Sequence, residues 1–326
     1  MEVLKTHPMA QMKGPFGISE KLRELICLLG QSQVFADGQQ LFLQMMGIDM
    51  GEKQIQRVSE YYGERLEEKQ AKEIEVAAPT PYKAQADEKT YIMVDGSMLF
   101  TREEGWKEIK VGRIFSENNR IAIQQNKNTI VDSQYVCHLG DHTEFLAKME
   151  WHIDNHPELK ICIADGAPWI WKWIEAKYPE IVQILDFYHV VEKLSHYALC
   201  QIENKTKRDA WMHKKKERLL NNEVDKIIQQ LEGTVGRNTE AEKARKDVLR
   251  YYQTNLKRMQ YKTYQDAGYL IGSGAIESAH RNVVQQRLKL SGQRWSKKGA
   301  QKIVNLRACH KSNQWGQIIE LIKNAA

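Results

Sequence analysis

The chain has 326 residues, 42% of them hydrophobic and 28% charged, enough for a normal buried core and for two domains or one domain with a large insertion. No apolar run reaches the roughly 18 residues of a membrane span, the start lacks a signal-peptide core, and Cys27, Cys137, Cys162, Cys200 and Cys309 form no CxxC pair; this argues against a membrane protein, a disulfide framework and a zinc ribbon, and for a reduced, cytoplasmic one. The net charge of +6 hides an asymmetry, since residues 201–326 carry 26 Lys and Arg against 12 Asp and Glu whereas residues 1–200 carry 22 against 30, so the C-terminal part calls for a polyanionic partner.

Residues 1–17, with Pro8, Gly14, Pro15 and Gly17, read as a flexible leader. From Ser19 the string SEKLRELICLLGQ has apolar residues at helical spacing behind a serine N-cap, with Gly30 positioned to end the helix. A second helix over 36–46, the break GIDMG and a third helix from about Glu52, with Ile55 and Val58 facing inward, predict a helical domain over 18–75. It fits a helix-turn-helix that would offer Lys53 and Arg57 to DNA, and equally a generic three-helix packing. Residues 76–90, around Pro79 and Pro81, read as a linker.

Beyond the linker the apolar period changes to that of strands. YIMVDGSML (91–99), WKEIKVGRIFS (106–116) and TIVDSQYVCH (129–138) predict three strands in an antiparallel meander. A helix over 141–156, a buried strand ending at Asp165, a helix ending at Pro179 and a strand ending near Asp186 follow. That order, three strands then helix, strand, helix, strand, is the order of an RNase H-like mixed sheet flanked by helices, an α/β fold. Its first part spans 91–190, an all-helical insertion 191–268, its last part 269–311, and a C-terminal helix 312–326.

Asp95 and Asp165 each end a strand and precede a glycine, and ligands in such sheets collect at strand ends. Glu277 stands alone on the first turn of a helix opened by Gly-Ser-Gly and leading into a basic segment. Phosphodiester chemistry needs two hard cations about 3.5–4 Å apart held by carboxylates, and these three acids are the candidates. Arg281, Arg287, Lys289, Arg294, Lys297 and Lys298 are the candidate phosphate contacts, with Trp295 placed to touch DNA. Asp186 and His189 read as a local pair at a strand end, or as support for the site. Cys137, His138 and His142 suggest zinc, but a strand-to-helix boundary separates them and a plain turn is the preferred reading. Trp169, Trp171 and Trp173 read as the core and rim of a helix rather than a stacking platform.

VDGSM around Asp95, GWKEIKVGRIF at 105–115, IADGAPWIW around Asp165, QILDFYHVVEKL at 183–194, GSGAIES around Glu277 and the following RLKLSGQRWSKKGAQKIVNLR resemble the DDE transposases of bacterial insertion sequences, of the Kra-type group. The resemblance covers residues 91–315. It implies an RNase H-like catalytic core in which Asp95, Asp165 and Glu277 hold two Mg2+ or Mn2+ ions, with Asp186 and His189 matching a (Cys/Asp)-x-x-His element and residues 187–268 matching an insertion domain. It further implies double-stranded DNA as partner, both element terminal repeats and target, a homodimer or larger synaptic complex, and a cytoplasmic, nucleoid-associated protein. Relatives of this group carry a cysteine-rich N-terminal region and this chain has no CxxC, so terminal-repeat recognition falls either to residues 18–63 or to an accessory protein. The competing readings are a structure-selective nuclease on the same core and a non-catalytic, transposase-derived DNA-binding protein.

Overall fold

The computed structural model describes residues 14–76, 88–124, 127–155 and 158–325. Most of the expected leader, and linker residues 77–87, lie outside them. Ser19 accepts a hydrogen bond from the Leu22 amide and starts α1 (Glu20–Ser32); α2 (Phe35–Met46) closes on Gly47 at φ 65°; α3 runs from Glu52 to Val76. Gly30 does not end α1. A Cβ there would lie 2.0 Å from Ser59 Oγ, so the glycine is what lets α1 approach α3.

Strands β1 (Lys89–Thr101) and β2 (Gly105–Ser116) are followed by a small hairpin, β3 (Arg120–Gln124) and β4 (Lys127–Ile130), and then by β5 (Gln134–Leu139). The single strand expected over 129–138 is thus two strands. Asp132 and Ser133 break it, the Ser133 hydroxyl accepting from Arg113 Nε at 2.9 Å. Asp141 caps α4 (His142–Asp154), which leads through β6 (Leu159–Ala164), α5 (Pro168–Lys177) and β7 (Val182–Leu185) to the helical stretch. That stretch holds α6 (Phe187–Gln201), α7 (Lys205–Leu220), α8 (Val224–Glu232), α9 (Thr239–Asn255) and α10 (Tyr261–Asp266). Then α11 (Gly274–Ala279) continues as a π-helical turn (His280–Gln285) and a last turn (Gln286–Leu288), and α12 (Lys297–Lys311) and α13 (Gly316–Asn324) end the described chain.

The fold is α/β, with a five-stranded mixed sheet in the order β5-β2-β1-β6-β7. β2 and β5 pair antiparallel, whereas β1 with β6 and β6 with β7 pair parallel. The buried apolar run Ile161-Cys162-Ile163-Ala164 in β6 is what a central parallel strand requires. Among the described residues no helix is long and apolar enough to cross a membrane.

By packing, the described residues divide into two compact units, one within 1–88, 95–158 and 276–326, the other within 89–94 and 159–275. In the first, Ile26, Ile55, Val58 and Leu66 of the N-terminal helices share one apolar core with Leu306 and Ile318 of α12 and α13. The expected linker therefore does not separate two cores. Gly63 permits this: a Cβ there would lie 2.2 Å from the Lys302 carbonyl oxygen, so only glycine lets α3 cross α12 so closely. In the second unit, buried tyrosines tie helices to a neighbouring helix and strand, Tyr252 Oη donating to the Val190 carbonyl of α6 and Tyr261 Oη to the Leu185 carbonyl of β7, each at 3.0 Å. Trp171 and Trp173 are buried there as expected, and the Arg258 guanidinium lies over the Trp171 ring at 4.4 Å.

Candidate active site

In the first unit Asp95 follows the end of the parallel-paired part of β1. Its Oδ1 accepts from the Gly96 amide at 2.8 Å, and its Oδ2 stands 3.3 Å from His280 Nε2. The other ring nitrogen, His280 Nδ1, lies 3.1 Å from Ser97 Oγ, which also accepts from Lys289 Nζ at 3.0 Å. Burial lowers the pKa of the Lys289 ammonium, against the pull of Asp95. Glu277 is exposed on the first turn of α11. His280 comes three residues later, and residues at that spacing share a helix face. The helix that bears Glu277 is therefore anchored to the strand that bears Asp95.

In the second unit Asp165 follows Ala164 at the end of β6. Its Oδ1 accepts from the Ala167 amide at 3.0 Å and its carbonyl accepts from Trp171 Nε1 at 2.8 Å, so both the side chain and the turn are held. Gly166 packs on the Tyr251 ring, which a Cβ would approach to 2.1 Å. Burial, then the charges of Asp165 and Asp186, push the Tyr251 phenol well up. Val94 and Ala164, the residues just before the two aspartates, are the last registered pair of the β1/β6 ladder.

Asp186 is fully buried and does more than pair with His189. Its amide donates to the Ala164 carbonyl at 2.9 Å, and its side chain caps α6 by accepting from the Tyr188 amide at 3.1 Å. It meets His189 Nδ1 at 2.5 Å and accepts from the Ser273 amide at 3.1 Å and the Ser273 hydroxyl at 2.7 Å. Burial works against the ionised form, but these donors outweigh it and hold the carboxyl below its usual range. Asp186 thereby fixes the Gly-Ser-Gly turn that opens α11. Sequence reasoning missed Ser273 and His280: the first was read only as part of a turn, and the second carried one available signal, its position one turn after a singled-out acid.

The basic candidates divide. Arg281, Arg294, Lys298, Lys53 and Arg57 are exposed. Lys297 is partly committed, its Nζ meeting Glu104 at 3.1 Å and its amide donating to Glu103 at 3.1 Å. Arg287 and Trp295 are not surface contacts. Arg287 is 1% exposed; its Nε donates to the Gly30 carbonyl at 3.0 Å, and its guanidinium sits between the rings of Phe35 and Trp295, 4.8 and 4.9 Å from their centroids. Burial, then the charge of Arg307, push it down to about 10. Trp295 is buried and donates from Nε1 to the Leu288 carbonyl at 3.1 Å. Both residues hold the first unit together because apolar rings and a desolvated guanidinium are stabler stacked than exposed.

The Cys137, His138, His142 set separates as well. His142 faces Asp141 at 3.7 Å, and Cys137 is buried with its thiol pushed up to about 12 by desolvation. His138 instead meets Glu67 and Glu144, one ligand atom of each lying within 4.8 Å of the others, the one such group of three among the described residues; none of Asp95, Asp165 and Glu277 belongs to it. Burial, then the charge of Lys148, push His138 down to about 4, so its imidazole is neutral at pH 7. No protein-family model matches this chain, and no curated protein matches it.

Proposed function

We propose that the chain is a DDE-type transposase of an insertion sequence, with an RNase H-like core in which Asp95, Asp165 and Glu277 act together on a DNA phosphodiester. The observation that carries this reading is the anchoring of Glu277's helix to the strand of Asp95 through His280, whose Nδ1 meets Ser97 Oγ at 3.1 Å and whose Nε2 lies 3.3 Å from the Asp95 carboxylate. The parallel register supports it, since Asp95 and Asp165 both follow directly on the Val94 and Ala164 pair. So does the strand order, with the first three strands of the sheet on one side and two strands joined through helices on the other.

The donor set suits hard divalent cations: three carboxylates, with Glu277 exposed and Asp95 and Asp165 half-buried. Asp95, Asp165 and Glu277 would hold two Mg2+ or Mn2+ ions, which supply activation of the attacking oxygen and charge relief for the leaving oxygen. The chain's own residues orient the acids. The Gly96 amide holds Asp95 with His280 beside it, the Ala167 amide holds Asp165, and the Asp186 and Ser273 pair sets the start of α11. Arg281, Arg294 and Lys298 are exposed on the segment that follows Glu277 and would neutralise backbone phosphates. Water serves as the first nucleophile, and the freed 3′-hydroxyl then attacks target DNA.

The test uses a plasmid carrying the element's own ends, with Mg2+ or Mn2+. Asp95→Asn, Asp165→Asn and Glu277→Gln should each abolish end cleavage and strand transfer while leaving DNA binding intact. Full strand transfer by any one variant removes that residue from the site. Cleavage without joining by the wild-type protein favours the nuclease reading, and metal-independent binding without cleavage favours the non-catalytic one.

A further inference from the structure

Away from the three acids, the first unit brings together side chains from three elements: Glu67 on α3, His138 in β5 and Glu144 on the first turn of α4. One ligand atom of each lies within 4.8 Å of the other two. His138 is 8% exposed, and its Nδ1 is shielded from solvent with no hydrogen-bond partner. Glu144 Oε2 stands 3.7 Å from that nitrogen. A buried imidazole nitrogen with no partner is a cost that folding normally avoids, and a ligand recovers it.

We propose that Glu67, His138 and Glu144 bind one divalent transition-metal ion of the zinc class, clamping α3 to β5 and α4. The donor chemistry selects the ion. Imidazole nitrogen suits Zn2+ and its borderline neighbours, while Mg2+ and Ca2+ take oxygen ligands. Two carboxylates match the double charge, and three protein ligands leave a fourth position for water. Metal–ligand bonds of about 2.0–2.1 Å set tetrahedral donors roughly 3.3 Å apart, so the 3.7 Å between His138 Nδ1 and Glu144 Oε2 is already near the required span.

A rival cation stands beside the site. Lys148, one turn beyond Glu144 on α4, is 9% exposed, and its Nζ meets Glu67 Oε1 at 3.2 Å. A bound ion must displace that ammonium from Glu67, which makes Lys148 a built-in competitor.

The experiment titrates Zn2+ into the full chain by calorimetry, in an Asp95→Asn, Glu277→Gln background so that the proposed catalytic acids do not contribute, and repeats it with Co2+ to read ligand-field absorption. One ion should bind per chain, with the intense visible bands of tetrahedral Co2+, and Mg2+ should not compete. Glu144→Gln and His138→Asn should each weaken binding by at least about 10–100-fold, the loss that follows from removing even an outer partner of a metal ligand. Glu144 is exposed, so its variant separates loss of a ligand from loss of the fold. Lys148→Gln should tighten binding. Zn2+ affinity unchanged in both ligand variants, or no binding at about 100 µM Zn2+, overturns the proposal and leaves the transposase reading untouched.

Discussion

His280 Nε2 lies 3.3 Å from Asp95 Oδ2 while His280 Nδ1 lies 3.1 Å from Ser97 Oγ, so one imidazole bonds the strand at Ser97 and sets its other nitrogen beside the aspartate. It does so from the residue at which α11 passes into a π-helical turn. Single π turns inside helices recur at functional sites because the extra residue re-aims the side chains around it. Here the residue re-aimed is the one that reaches the aspartate.

If Asp95 ligates metal, His280 is its positioning partner, and losing such a partner costs about 10–100-fold in metal affinity or activity. His280→Ala should therefore shift the Mn2+ dependence of end cleavage to higher concentration, with DNA affinity unchanged. Wild-type metal dependence in that variant would mean that the contact does not tune the acid.

Arg287 and Arg294 sit seven residues apart in the same basic segment and have opposite surroundings, the first buried between two rings and the second exposed. Arg287→Ala removes the Gly30 hydrogen bond and the stacking on Phe35 and Trp295, and should destabilise the fold by about 2–5 kcal/mol. Arg294→Ala and Lys298→Ala should change stability by less than about 0.5 kcal/mol. If they contact phosphates, each lowers the salt slope of DNA binding by about 1. Urea unfolding and binding measured at several salt concentrations separate the two kinds of arginine.

The sequence made the order of elements legible because each carries a local signal: Ser19 and its helical apolar spacing, the continuous apolar run before Asp165, Pro179 just past the end of α5. Local signals do not encode long-range packing. Gly30 looked like a stop and is a contact surface for Ser59, while the shared core of α3 and α12 depends on Gly63 meeting a backbone more than 200 residues away. At the site, the motif pointed to Asp186 and His189 three residues apart, but the partner that defines Asp186's role, Ser273, comes from 87 residues further on. Charge pattern alone could not separate Arg287 from its exposed neighbours, since burial of an arginine is decided by the rings that happen to flank it.

The α3 and α12 crossing gives a prediction with a sign opposite to helix propensity. Alanine is favoured over glycine inside a helix by roughly 1 kcal/mol. At Gly63 a Cβ would lie 2.2 Å from the Lys302 carbonyl oxygen, and backbone cannot swing aside as a flexible side chain can. Gly63→Ala should lower stability by about 1–3 kcal/mol, read as a fall in the urea midpoint at constant slope. A rise would mean that the two helices part without loss.

Asp186 ties pH to stability in a definite direction. Its carboxyl is fully buried and held below its ordinary range against the cost of burial, because His189, Ser273 and the Tyr188 amide all bond to the ionised form. A carboxyl of depressed pKa contributes stability that is fully present above its unfolded value of about 3.9 and is lost as pH falls through the folded value. Asp186→Asn should thus cost about 2–4 kcal/mol at pH 7, and the gap to wild type should narrow toward pH 3, where the unfolded carboxyl takes up a proton that the native one, its pKa depressed, resists. Urea unfolding of both proteins at the two pH values measures the gap. An equal gap at both would mean that the ionised carboxylate is not what secures Ser273, and that the turn opening α11 is held by packing alone.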